Sequence, residues 1–232
     1  AGVPYGRMME AARTQLASQR PKSLTRRLGL FVGLRLLAHR LELLRVVAWG
    51  LKVYQRSGVQ GMVRGLGVLR FIGALDRMER QLPRLGRFYR RPTEPVPSKS
   101  MTKIRVGMLD GCVMPFLYGR VNEATTNVLT RNGCDVVVPA QGCCGALSTH
   151  LGERESGRAL ARRNIDAFLN EDVEAIVVNS AGCGSTMKEY GDLLKDDHVY
   201  AEKAERFAGM VKDINEFLAV LPIEAPANEL QA

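Results

Sequence analysis

Acidic residues are scarce where basic ones are most abundant. The first hundred residues hold 20 Lys and Arg against 5 Asp and Glu, and the remainder hold 13 against 19. The high pI of about 9.6 therefore belongs to the first part alone, and the two parts are read as different objects. The chain also lacks an uninterrupted apolar run. A spanning helix needs about 20 such residues, whereas the most apolar region, Leu28 to Tyr54, is broken by Arg35, Arg40, Glu42, Arg45 and Lys52. No apolar stretch precedes a small-residue cleavage site, so no secretory signal is visible. No Gly-Lys-Ser/Thr follows a glycine loop, and Gly107 and Gly111 lack the spacing of a dinucleotide fingerprint. Histidines number only 3. His39 and His198 read as surface residues, and His150 as a satisfied histidine at a loop or helix start. Glu153 and Glu155 open a helix, where acidic groups favour the dipole, so neither reads as a catalytic acid. Cysteines number 5, an odd count too low for a secreted disulfide scaffold. Metal binding or thiol redox chemistry in a reducing compartment fits them better.

Residues 1–91 read as a basic helical segment. Leu28, Phe31, Val32, Leu36, Leu43, Leu44 and Val47 recur at three- and four-residue spacing. The bland reading of its charge is a solvated face. Docking to an acidic partner subunit or an anionic membrane surface comes next. Nucleic acid comes last and is not expected, because Phe31, Trp49, Tyr54 and Phe71 follow apolar helix faces. Residues 92–101, with Pro92, Pro95 and Pro97, read as an extended linker. Residues 102–221 read as an α/β domain, and 222–232 as a linker-like tail. Within the domain, strands are expected at Lys103–Leu109, Asp135–Val138 and Ala175–Asn179. Helices are expected at Pro115–Asn132, at Glu153–Asn170, from near Cys183 or Ser185, and over Tyr200–Leu221. Apolar strands alternating with helices imply a parallel sheet with flanking helices on both faces.

In an open α/β sheet the functional site lies outside the carboxyl ends of the strands. Cys112 follows the first strand, Cys143 and Cys144 the second, and Cys183 the third. Four thiols are thus expected at one sheet edge. Gly111, Gly142, Gly145, Gly182 and Gly184 flank them, allowing tight turns and leaving amide N–H groups for sulfur. Each of Cys112 and Cys183 alone would read as a small packed residue, but a vicinal pair with two convergent partners reads as a site. Adjacent cysteines fit one tetrahedral zinc ion poorly and can reach two irons of one cluster. Cys134 starts the second strand, roughly 16 Å from the others, and reads as a buried small apolar residue.

These residues resemble the cysteine-rich domain named for its Cys-Cys-Gly motif, whose pattern is a cysteine, Cys-Cys-Gly, then Cys-x-x-Cys. Here Cys112, Cys143-Cys144-Gly145 and Cys183 match. Ser180 stands at the first cysteine of Cys-x-x-Cys, which argues against a five-thiol cluster of the heterodisulfide type. A narrower resemblance is to the iron–sulfur subunit of glycolate oxidase. It is carried by Asp110-Gly111-Cys112-Val113-Met114, Gln141 to Leu147, His150 to Glu153, Ala161 to Ile165, Asn179 to Gly191 and Val211 to Leu218. That family has two ferredoxin-type motifs and a second Cys-Cys-Gly domain, which do not occur here. With Ala1 in place of an initiator Met, the chain is expected to be an internal fragment. The resemblance implies an electron-transferring subunit with no catalytic residues of its own. It would hold an iron–sulfur cluster, of 4Fe–4S type in the parent subunit, on Cys112, Cys143, Cys144 and Cys183. It would take electrons from a flavin-containing subunit that oxidises glycolate to glyoxylate and pass them toward the membrane quinone pool. The implied location is cytoplasmic or peripheral at the inner membrane face. Alternatives are a heterodisulfide-reductase-like protein, a lactate or glycerol-3-phosphate dehydrogenase subunit, and a cluster-free interaction module.

Overall fold

The computed structural model describes residues 5–19, 24–99 and 104–223. The expected strand start at Lys103, the end of the linker and the tail from 224 onward lie outside the described residues. The basic part forms α1 (Tyr5–Gln19) and α2 (Leu24–Leu30), which runs into a wide π-type stretch, Phe31–Ala38. Then come α3 (Leu41–Arg56), α4 (Val59–Leu66), a 3-10 turn (Val68–Phe71) and α5 (Gly73–Arg80). Helical order stops well before the proline stretch at 92.

Glu79 ties α3, α4 and α5 together. Its carboxylate accepts from Tyr54 Oη at 3.3 Å, Gln60 Nε2 at 2.9 Å and Arg64 Nε at 2.9 Å. The outer faces of these helices remain apolar and exposed. Val46 and Trp49 are 65% and 63% exposed, and Phe71 is 93% exposed.

The second part contains β1 (Ile104–Leu109), α6 (Met114–Leu117), α7 (Gly119–Arg131), β2 (Cys134–Val137), α8 (Ala146–His150) and α9 (Arg154–Leu169). It continues with β3 (Ala175–Val178), α10 (Ala181–Lys188), α11 (Tyr190–Leu194), α12 (Ala201–Met210), β4 (Val211–Asp213) and α13 (Ile214–Leu218). The strands form one sheet in the order β2-β1-β3-β4, with every pairing parallel. The expected α/β class with a parallel sheet is what the chain adopts.

Side chains alternate across the sheet. Leu109, Ile176 and Val178 face one core with Leu160, Ile165, Phe168, Tyr190 and Phe207. Val106, Met108, Cys134, Val136, Ala175 and Val177 face the other with Tyr89, Leu129 and Phe217.

Three expectations are corrected. The helix expected over Pro115–Asn132 is two helices, broken at Tyr118. The one expected over Tyr200–Leu221 is interrupted by β4. There Asp213 caps α13: its carboxylate accepts from Asn215 N at 2.9 Å, and Glu216 Oε2 accepts from Asp213 N at 3.0 Å. That reciprocal capping box starts a new helix and lets the preceding three residues pair with β3. The third helix starts at Ala181, so Cys183 lies inside its first turn.

The break before α7 has a steric cause. The segment Arg87–Tyr89 crosses directly over Gly119, and a Cβ there would sit 2.6 Å from Arg87 O and 2.7 Å from Tyr89 N. Tyr89 N donates to Pro115 O at 2.8 Å, which holds the crossing in place. Gly119→Ala is expected to cost about 2 kcal/mol in denaturant unfolding, as backbone overpacking does. A loss below about 0.5 kcal/mol, the scatter of neutral surface changes, would mean the strap shifts freely. The proline stretch beyond it is extended and pinned to the sheet, with Val96 bridging Val136 in antiparallel sense.

Candidate iron–sulfur site

Cys112, Cys143 and Cys144 are delivered by the loops after β1 and β2, and Cys183 by the first turn of α10 after β3. Gly111 and Gly145, at φ +77° and +84°, take left-handed turns beside Cys112 and Cys144. Cys144 Sγ lies 3.1 Å from Cys183 Sγ, Cys143 is its neighbour in sequence, and Cys112 packs into the same cluster. The four expected residues therefore converge in one array, Cys112–Cys143–Cys144–Cys183. Cys143 and Cys144 are buried, and Cys112 and Cys183 are half-buried. Cys134 is fully buried in the opposite core, and burial raises its thiol to about 11.

The thiols perturb one another's ionisation. Hydrogen bonds from Cys112, then Cys144, pull Cys143 down to about 3, helped by the Gly145 amide, whose N is 3.5 Å from Cys143 Sγ. Donation to Cys143 pushes Cys112 up, and donation within the array pushes Cys144 up. Cys183 is lowered by Cys144 and by the Ser180 hydroxyl. Ser180, which stands where the motif carries a further cysteine, thus faces the site.

The loops are cross-tied by buried polar side chains. Arg91 forks onto Asp110 at 3.0 and 2.9 Å. Gln141 Nε2 donates to Asp110 Oδ1 at 2.8 Å and to Met108 O at 3.2 Å. Asn122 Nδ2 donates to Asp110 O at 2.9 Å, and Asn179 Nδ2 to Asn122 Oδ1 at 3.1 Å. Burial raises the pKa of Asp110, with Arg91 opposing. Beneath the Cys-Cys-Gly turn, Asn164 and Tyr190 bond its backbone. Of these scaffolding residues, Asp110, Gln141, Asn164, Asn179 and Tyr190 lie in the stretches that carry the resemblance, and Arg91 and Asn122 do not. They act through partners distant in the chain.

Two histidine readings change. His39 is half-buried rather than a surface residue. Its Nε2 lies 3.0 Å from Ser156 Oγ, and its charge adds to the lowering of Cys143. His150 ends α8 instead of opening a helix, with Nδ1 3.1 Å from Glu10 Oε1. A groove of about 960 Å³ opens beside Cys112, with His39, Arg91 and Asp110 among its walls.

The donor set fits an iron–sulfur cluster. Four soft thiols stand together, two of them vicinal, with an amide and a hydroxyl already bonded to sulfur. Among the described residues no three His, Cys, Asp or Glu side chains enclose a point suited to a single metal ion. Among the same residues no helix is long and apolar enough to cross a membrane.

Comparison with known proteins agrees with this geometry. Residues 106–188 match the family model of the cysteine-rich domain, and residues 34–82 match that of the glycolate oxidase iron–sulfur subunit linker region. The probable glycolate oxidase iron–sulfur subunit of Bacillus subtilis is 37% identical over 224 residues, 95% of this chain and 50% of that protein. The glycolate oxidase iron–sulfur subunit of Escherichia coli is 43% identical over 142 residues, 57% of this chain and 35% of that protein. Lactate utilization protein A of Bacillus licheniformis is 33% identical over 123 residues, 52% of this chain and 51% of that protein. The chain thus spans about half the length, or less, of these curated relatives. No solved structure matches it. A cysteine-rich domain preceded by that linker region makes the chain similar to glycolate oxidase iron–sulfur subunits over these residues.

Proposed function

We propose that this chain is the electron-transferring iron–sulfur part of a glycolate oxidase complex. Cys112, Cys143, Cys144 and Cys183 ligate its cluster. The convergence of these four thiols at the carboxyl edge of three parallel strands carries the reading. A bound cluster, of 4Fe–4S type, supplies one-electron transfer there. The chain's own residues provide thiolates, with Cys143 the readiest to ionise, and direct the Gly145 N–H and the Ser180 hydroxyl onto sulfur. Such hydrogen bonds stabilise charge on sulfur and raise the potential. The groove beside Cys112 is the side on which a redox partner can approach.

Glycolate chemistry resides on a separate flavin-containing subunit, and electrons leave toward the quinone pool. The exposed apolar faces of α3 to α5, interleaved with Arg45, Arg56 and Arg70, suit docking to that partner or to an anionic membrane surface from the cytoplasmic side. The likeness to lactate utilization protein A favours a second reading, in which the partner oxidises lactate.

Anaerobic reconstitution with ferrous iron and sulfide tests the central point. The expected result is stoichiometric iron and sulfide with a broad visible absorption band, and its loss in Cys143→Ser. A reduced chain that takes up neither would leave the cluster-free interaction module standing. Reduction kinetics with glycolate and lactate as alternative donors in the assembled complex then separate the two substrates.

A further inference from the structure

Two side chains that the cluster reading does not use are spent almost wholly on the Cys-Cys-Gly turn. Asn164 of α9 and Tyr190 of α11 are both fully buried. Asn164 Oδ1 accepts from Gly142 N at 2.8 Å. Its Nδ2 donates to Cys143 O at 3.0 Å and to Tyr190 Oη at 3.1 Å. Tyr190 Oη in turn donates to Cys144 O at 2.7 Å. Every hydrogen-bonding atom of the pair is directed at this turn or at the other member. Three consecutive residues, Gly142, Cys143 and Cys144, thereby have a backbone group fixed by a side chain from another helix.

This arrangement is more than the satisfaction of buried groups. A turn rich in glycine has many accessible backbone states, and its thiols would wander with it. With both cysteine carbonyls pinned inward, Cys144 Sγ meets Cys183 and Cys143 packs into the same cluster as Cys112. The Tyr190 ring is itself immobilised, stacked on Phe207 with centroids 5.3 Å apart and planes 18° apart. A hydroxyl on a locked ring is a rigid reference point for the loop.

We propose that Asn164 and Tyr190 are positioning residues for the vicinal thiols, setting where Cys143 and Cys144 stand before any cluster is bound. The pinning is independent of the metal, and its consequence for a cluster rests on the ligand reading above.

The test uses Tyr190→Phe and Asn164→Ala in this chain. Tyr190→Phe removes one oxygen and keeps the stacked ring. Two measurements are made: iodoacetamide alkylation rates of each cysteine in the reduced, metal-free chain, and the electron paramagnetic resonance spectrum after reconstitution with ferrous iron and sulfide. With the unfolding transition still cooperative, Cys144 in Tyr190→Phe is expected to alkylate about fivefold faster, the factor one buried hydrogen bond is worth. In Asn164→Ala both Cys143 and Cys144 are expected to accelerate, while Cys134 is unchanged in either variant. The spectrum shifts in both. Wild-type alkylation rates and an unchanged spectrum in folded Tyr190→Phe would overturn the proposal. So would failure of Tyr190→Phe to fold, since the hydroxyl would then be holding the fold and not the loop. If the unaltered chain takes up no iron or sulfide, the cluster reading fails, and the alkylation rates still judge the positioning.

Discussion

Replacing Cys143 or Cys144 with Ser is expected to stop glycolate-dependent electron transfer through the assembled complex while leaving reduction of the partner's flavin intact. A serine hydroxyl is a hard donor that stays protonated, so it replaces a soft thiolate poorly. Changes in the groups around metal ligands already cost about 10–100-fold, so loss of a ligand from the vicinal pair should exceed about 100-fold. The pair is also the centre of the array: Cys144 lies 3.1 Å from Cys183, and Cys112 packs into the same cluster as Cys143. Either substitution therefore disconnects one end. Cys134→Ala is the control. Its thiol lies in the other core, so electron transfer should persist, with a stability loss of about 1 kcal/mol from the lost buried atom. The measurement is stopped-flow reduction of flavin and of quinone in the same complex. Normal quinone reduction in both serine variants would remove the electron-transfer role from this site.

Arg91→Ala is expected to be the most damaging single change outside the thiols, at about 3 kcal/mol in urea unfolding. Asp110 carries the reason. Its side chain is only 4% exposed and, among the described residues, Arg91 is its ion-pair partner, at 2.9 Å. Taking away one partner leaves a buried carboxylate, which costs about 3–5 kcal/mol. The low end applies because Arg91 is itself 26% exposed and water can enter the space it vacates. Asp110→Asn in the same chain should recover much of the loss, since the amide oxygen still accepts from Gln141 without a charge to neutralise. A single-variant loss below about 1 kcal/mol, the value of an exposed pair, would show that Asp110 reaches solvent unaided.

The strands and the thiols were legible in the sequence because both are written locally. Val106 to Leu109, Val136 to Val138 and Ala175 to Val178 are apolar runs bounded by turn residues, and glycines mark the loops that follow. Cys134, by its place at the start of the second strand away from the other thiols, also read as a buried residue, which it is. What escaped was either very short or nonlocal. β4 is three residues long with Lys212 exposed in its middle, so helical periodicity on both sides hides it. The signal that could have exposed it is the capping pair Asp213 and Glu216. The scaffold under the site, from Arg91 through Asp110, Gln141, Asn122 and Asn179, joins residues that look like ordinary surface polar groups in sequence. Asn164 and Tyr190 lay within the stretches that carry the resemblance but with no role legible, and His39 read as a surface group, because their partners lie on other elements.

The strand order also bears on how the protein is made. β1, the first strand of this sheet in chain order, sits in its interior, with β2 on one side and β3 on the other. Its cysteine loop cannot meet Cys183 until four further helices and two strands have emerged. During that interval Cys112, Cys143 and Cys144 exist as a three-thiol intermediate without the partner that lies 3.1 Å from Cys144 in the finished site. Closing the long β1-to-β3 connection is entropically costly, so the four thiols come together only once β3 is in place. Oxidants that reach the nascent chain first would convert the newborn vicinal pair into a dead end, which makes the supply of reductant during synthesis a determinant of yield.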